Sequence, residues 1–185
     1  MKKILLLVIL CPLIACAQQQ EKEPVKKGNK PDKPTLETFS AETGTLIEKT
    51  FINVGKIGSA KVQILVLRDL ISGVKTKGLR FEKPTGKQYG GNAISFIDED
   101  EVDGLMKSIV IIQEKVLPTV PSDYQEVNFN SRSGFAAGCY WSKNKWSSYL
   151  KIDKSDADSY IWLGDGELDT FNKLLIDAKA KLNSI

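Results

Sequence analysis

The chain is 185 residues long, with 26 Lys and Arg against 23 Asp and Glu, three cysteines and no histidine. That length suits one ordinary domain with some chain to spare. The missing histidine removes the commonest general base, the commonest zinc and copper ligand and every Ser-His or Cys-His nucleophile, and a net charge of +3 makes a poor electrostatic case for nucleic acid.

Met1, Lys2 and Lys3 precede an apolar run from Ile4 to Leu10 that continues through Leu13 and Ile14, the form of a charged n-region followed by a short h-region. The run falls short of the about 20 apolar residues a spanning helix needs. Two cysteines follow, and the residues beside them tell them apart. Cys11 lies between bulky Leu10 and rigid Pro12, whereas Cys16 follows Leu13, Ile14 and the small Ala15. "LIAC", residues 13–16, resembles the lipobox of bacterial lipoprotein precursors. That resemblance implies that residues 1–15 are a signal peptide, that the Cys16 thiol carries diacylglycerol, and that the lipid bilayer is the first partner. Ala17, where the enteric sorting rule would need Asp to retain the protein in the inner membrane, implies the outer membrane of a Gram-negative envelope. An ordinary secretory signal cut near Ala15 or Ala17 is the alternative. Cleavage before Cys16 leaves 24 basic residues against 23 acidic ones, and Cys139 as the only other thiol, so no internal disulfide forms.

Residues 17–38 are rich in Gln, Lys, Glu and Pro and nearly free of apolar side chains, so they cannot offset the entropy of ordering. They read as a tether stiffened by Pro24, Pro31 and Pro34. The division expected is a signal peptide at 1–15, a lipidated cysteine and flexible tether at 16–42, and a globular domain at 43–185.

Within the domain, extended segments are expected at residues 45–54, 61–70, 74–83 and 92–97, each bounded by Gly, Pro or Asp. Val102, Leu105, Met106, Ile109 and Val116 then fall on one helical face, with Asp98 and Glu101 as a capping box and Pro118 as the stop. Further strands are expected at 124–131, 134–141, 146–152 and 159–163, followed by a helix with Leu168, Phe171, Leu174, Leu175, Ala178 and Leu182 on its apolar face. The two junctions align without gaps, "FIDEDEVDGLMK" against "WLGDGELDTFNK", matching Glu101 to Glu167, Val102 to Leu168, Asp103 to Asp169 and Leu105 to Phe171. The expected class is α+β, two ββββα repeats of antiparallel sheet with two helices in a single domain. A pair of unrelated junctions, each with acidic caps and apolar spacing, would align almost as well. Two such units in tandem resemble the Whirly and PUR families of single-stranded nucleic-acid binders. The resemblance covers residues 43–185, lies in element order alone, and carries over no site residue. Near-neutral charge and an export signal count against importing that activity.

The stretch "FAAGCYWSKNKWSSYLKI", residues 135–152, interleaves aromatics with lysines. Paired as a hairpin over Lys143 and Asn144, it sets Trp141 opposite Trp146, Cys139 opposite Ser148 and Ala137 opposite Leu150, an apolar face on which Cys139 is inert. The other face keeps Tyr140, Tyr149 and Lys151, a possible partner-contacting surface to which Tyr89 in the loop "EKPTGKQYGG" is added. That loop is not a phosphate-binding P-loop, because Gln88 stands where Ser or Thr is needed. A first hairpin turned at Ser72 and Gly73 sets Val66 against Leu79 and Ile64 against Phe81. The acidic run from Asp98 to Asp103 fails EF-hand spacing at Val102 and reads as a helix cap.

The sequence therefore points to an envelope lipoprotein acting as a non-catalytic binding or structural module, with lipidation at Cys16 and with no catalytic residue, metal or cofactor expected. Its expected partner is an envelope protein or a glycan, not nucleic acid. A histidine-independent hydrolase using carboxylates and a Whirly-like single-strand binder are the alternatives.

Overall fold

Segments in which apolar and polar side chains alternate form two four-stranded antiparallel sheets in a computed structural model that describes residues 35–86 and 91–185. A short helix, α1 (Leu36–Ser40), comes first. Strands β1 (Ile47–Ile57), β2 (Ala60–Asp69), β3 (Lys75–Pro84) and β4 (Asn92–Asp98) pair in chain order, and α2 (Val102–Ile111) follows, running into a π-helical turn at Ile112–Val116. The pattern then repeats with β5 (Gln125–Asn130), β6 (Ala136–Ser142), β7 (Lys145–Lys151), β8 (Tyr160–Leu163) and α3 (Glu167–Asn183). The class is α+β, as expected, with three helices instead of two. No helix among the described residues is long and apolar enough to cross a membrane.

Both sheets turn their apolar faces to one core. Ile64, Leu79 and Phe81 from the first sheet meet Phe135, Ala137 and Leu150 from the second, with Leu105 and Ile109 of α2 and Phe171 and Leu175 of α3 between them. The Phe81 ring centroid lies 4.5 Å from that of Phe135 and 6.2 Å from that of Phe171, so one side chain touches both halves. Each such burial contributes roughly 1.5–3 kcal/mol to a core that the two halves share.

The aligned junctions play equivalent parts. The Glu101 carboxylate accepts from the Asp98 N–H at 3.1 Å, and Glu167 accepts from the Gly164 N–H at 2.7 Å, each reaching back three residues to cap its helix. Asp103 at the start of α2 pairs with Lys179 of α3 at 3.0 Å, while Asp169 at the start of α3 accepts from Gln113 at 2.5 Å, just past the end of α2. The two helices thus cross-link reciprocally.

The β5–β6 loop joins the halves at the free edge of β4. Ser133 Oγ donates to the Phe96 carbonyl at 2.7 Å and accepts from the Phe96 N–H at 2.7 Å. Arg132 draws the acidic run together: its guanidinium binds Asp98 at 2.9 Å and Asp100, and its N–H donates to Glu101 at 2.9 Å. The rest of the run is paired as well, Glu99 with Lys77 at 3.4 Å and Asp103 with Lys179.

Two expectations fail. The tether was expected to extend through residue 42, but Leu36 and Phe39 are buried against Leu65 and Leu67 on the outer face of the first sheet. Thr35 caps α1 by accepting from the Thr38 N–H at 3.1 Å, and the Leu36 N–H donates to Asp98 at 2.8 Å. Two apolar residues in a polar stretch suffice because the sheet offers a ready apolar surface; Gly78 beneath Leu36 leaves the room, since a Cβ there would lie 2.7 Å from the Leu36 side chain. The first hairpin is also two residues out of the expected register: Ile64 pairs with Leu79 and Val62 with Phe81. The cause is Asp69, whose carboxylate accepts from Thr45, from the Ile71 N–H and from Ser72, closing a four-residue loop in place of a two-residue turn. A shift of two preserves facing, so the core prediction survives the error. The second hairpin has the expected register, with Lys143 and Asn144 at φ of 51° and 61°, the left-handed pair of a type I′ turn.

Candidate binding face

Strand alternation puts Val127, Ala137, Cys139, Trp141, Leu150 and Ile161 on the inner side of the second sheet, and their neighbours in sequence on the outer side. There, one rung reads Asn128, Gly138, Tyr149, Trp162 across the four strands. The rungs beside it read Glu126, Tyr140, Ser147 and Asn130, Ala136, Lys151, Tyr160.

The aromatic side chains pack on one another. Tyr160 and Trp162 stack with ring planes 5° apart and centroids 5.2 Å apart, while Tyr140 and Tyr149 meet Trp162 edge-on at 6.0 and 6.1 Å. Tyr124 extends the group at 6.4 Å from Tyr140. Trp162 is 59% exposed although it has three aromatic neighbours. Lys151 holds its ammonium 4.9 Å from the Tyr160 ring centre, a cation–π contact that fixes both.

A polar row runs along β5, the edge strand. Glu126 accepts from the Tyr149 hydroxyl at 2.7 Å, from Asn128 at 3.3 Å and from Tyr124 at 3.3 Å, and Asn130 donates to Asn128 at 2.8 Å. The Tyr149 hydrogen bond, helped by Asn128 and Tyr124, holds the Glu126 carboxyl below the usual range against the opposing cost of burial. Burial, then the hydrogen bond to Glu126, pushes the Tyr149 phenol up. Glu126 is therefore an ionised acceptor, the opposite of the raised carboxyl that general-acid chemistry needs.

Of the residues singled out from sequence, Tyr140, Tyr149 and Lys151 come together here. Tyr149, however, is buried and acts as the floor, whereas Tyr124, Tyr160 and Trp162, which sequence reasoning passed over, supply much of the exposed ring surface. The signal was present: "YIWL" alternates two outward aromatics with two inward aliphatics. Tyr89 and Cys16 lie outside the described residues. Trp141 is buried and Trp146 half-buried on the core side, with the Trp146 indole N–H donating to the Thr119 carbonyl at 2.9 Å. Cys139 is fully buried, and that burial pushes its thiol up to about 11.

Beside Tyr124 an open recess of about 480 Å³ lies between the end of the π-helical turn and β5, lined by Val116, Val120 and the inward-facing Val127 among others. Among the described residues no group of three His, Cys, Asp or Glu side chains is arranged to hold a metal ion. The arrangement can stack a ligand on Trp162 and offer it amide and carboxylate hydrogen bonds from β5. No protein-family model matches the chain, and neither a curated protein nor a solved structure does.

Proposed function

We propose that this chain is an envelope lipoprotein, held on the bilayer through acylated Cys16 and placed in the outer membrane of a Gram-negative host, and that it acts as a non-catalytic binding module through the outer face of its second sheet. The observation that carries the binding assignment is an asymmetry between the halves. On the outer face of the first sheet α1 covers Leu65 and Leu67, whereas among the described residues no helix packs on the outer face of the second, which bears Tyr and Trp instead. Rigid aromatics of this kind give large contact area at small entropic cost. The anchor rests on the n-region, the h-region and "LIAC".

The alternatives draw less support. A carboxylate hydrolase needs one acid with a raised pKa, and Glu126 is shifted the other way. A single-strand binder needs a basic groove, and here a carboxylate stands among the rings.

Two measurements test the proposal. Labelled palmitate is expected to enter the wild type and not Cys16→Ser; equal labelling of both removes the anchor. A photo-crosslinking residue at Trp162 is expected to give envelope adducts that the same residue at Ile176, exposed on α3, does not give. Equal adducts from both positions remove the binding face.

A further inference from the structure

The outer face of the second sheet carries five aromatic rings, two amides and one carboxylate, but its only aliphatic side chain is Ala136. That composition bears on what it holds. Here every large apolar group is planar, with Tyr160 and Trp162 on β8 and the polar row on β5 at the opposite edge of the sheet.

We infer that this face binds an extended, weakly charged chain of pyranose sugars; the inference rests on the binding-module reading above. A pyranose ring has a face of C–H bonds and a rim of hydroxyls. Trp162 on β8, exposed and backed by Tyr160 and Tyr140, presents a surface for the C–H face of one ring, and three strand spacings away, about 14 Å, Glu126, Asn128 and Asn130 on β5 present acceptors and donors to the hydroxyls of a ring further along the same chain. Planar amide and carboxylate groups suit vicinal hydroxyls, which both donate and accept. The charges present are the Glu126 carboxylate against the ammoniums of Lys151 and of Lys145 on the Ser142–Lys145 rung, so the face is only weakly basic and draws a polyanion weakly. Glu126 also repels phosphate, which separates this reading from one in which bases stack on the same rings. The ligand's length follows from the geometry: the central rung crosses four strands about 4.8 Å apart, from Asn128 to Trp162. The rings already pack on one another before any ligand arrives, so little side-chain entropy remains to be lost on binding.

The test uses the full acylated chain in detergent micelles. It is passed over an immobilised panel of envelope polysaccharides and of peptidoglycan glycan strands freed of peptide, with intact sacculi and single-stranded oligonucleotide alongside. Retention on at least one sugar chain is expected, with tryptophan emission shifting on addition of the matching oligosaccharide. Trp162→Ala and Asn128→Ala are each expected to weaken retention at least tenfold, Trp162→Phe to keep a measurable part of it, and Ile176→Ala to leave it unchanged. Trp162 is exposed enough that its loss leaves folding intact, and far-ultraviolet circular dichroism of each variant checks this. No retention on any sugar chain overturns the inference. If sacculi or an envelope protein still hold the chain in a Trp162-dependent way, only the sugar assignment falls. If nothing depends on Trp162, the binding-module reading falls with it.

Discussion

The Tyr149 hydroxyl donates to Glu126 at 2.7 Å, linking β7 to β5 across β6, which has only Gly138 on the rung it crosses. The bond couples the floor of the aromatic face to its polar edge. It also sets two pH limits. Glu126 has a lowered pKa in the folded chain, so its stabilisation is complete above the ordinary carboxylate range and is lost as pH falls through that range. Tyr149 has a raised pKa, so its stabilisation is present below the ordinary phenol value of about 10 and is lost as pH rises beyond it. Tyr149→Phe is expected to cost about 1 kcal/mol at neutral pH and to flatten both limbs. Urea unfolding from pH 3 to pH 11, followed by tryptophan emission, measures this; parallel curves for variant and wild type would refute it.

Gly138 has a second role. A Cβ there would stand 2.4 Å from the Val127 carbonyl oxygen and 2.9 Å from the Asn128 Cα, both backbone atoms that cannot swing aside. Gly138→Ala is expected to cost about 1–3 kcal/mol by overpacking, while Gly86→Ala, with nothing within 4 Å of the added carbon, stays near neutral. Thermal unfolding of the two variants makes the comparison.

Leu36 provides a check on where the folded domain begins. It is fully buried on the first sheet beside Phe39, Leu65 and Leu67, so Leu36→Ala is expected to cost about 2 kcal/mol or more. Amide exchange should then accelerate in residues 36–40 before the rest of the chain. An unchanged stability would mean that α1 contributes nothing and that the domain starts at β1.

Cys139 is expected to behave as a small core residue. Its thiol is fully buried and pushed up to about 11, so in the chain cut before Cys16 and acylated there Ellman's reagent at pH 8 should react only as the fold opens, and one equivalent should appear at once in denaturant. Rapid labelling of the native chain would place Cys139 at an accessible site instead.

The strands were legible in the sequence because apolar residues alternate over each of them, and the Lys143-Asn144 turn fixed the second hairpin to the residue. The first hairpin came out two residues off because its register depends on where Asp69 finds its three donors, a contact set that no local pattern displays. Tyr140, Tyr149 and Lys151 could be grouped because they lie on adjacent strands of one tight hairpin. Trp162 could not be joined to them from sequence, since β8 reaches β7 only after a connection that includes a 3-10 turn at Ala157–Ser159.

By itself the sequence determined the class of fold, the face each strand presents to the core, and the removal of histidine chemistry, because these depend on residue type and short-range period alone. It also holds the whole case for the lipid anchor, in residues 1–16. Tertiary structure alone decided which faces are covered. Whether α1 lies over the first sheet, whether Arg132 draws together Asp98, Asp100 and Glu101, and whether Trp162 joins Tyr140 and Tyr149 all turn on contacts between residues 13 to 62 positions apart along the chain. Such contacts join elements that lie apart in the chain, so no short-range pattern displays them.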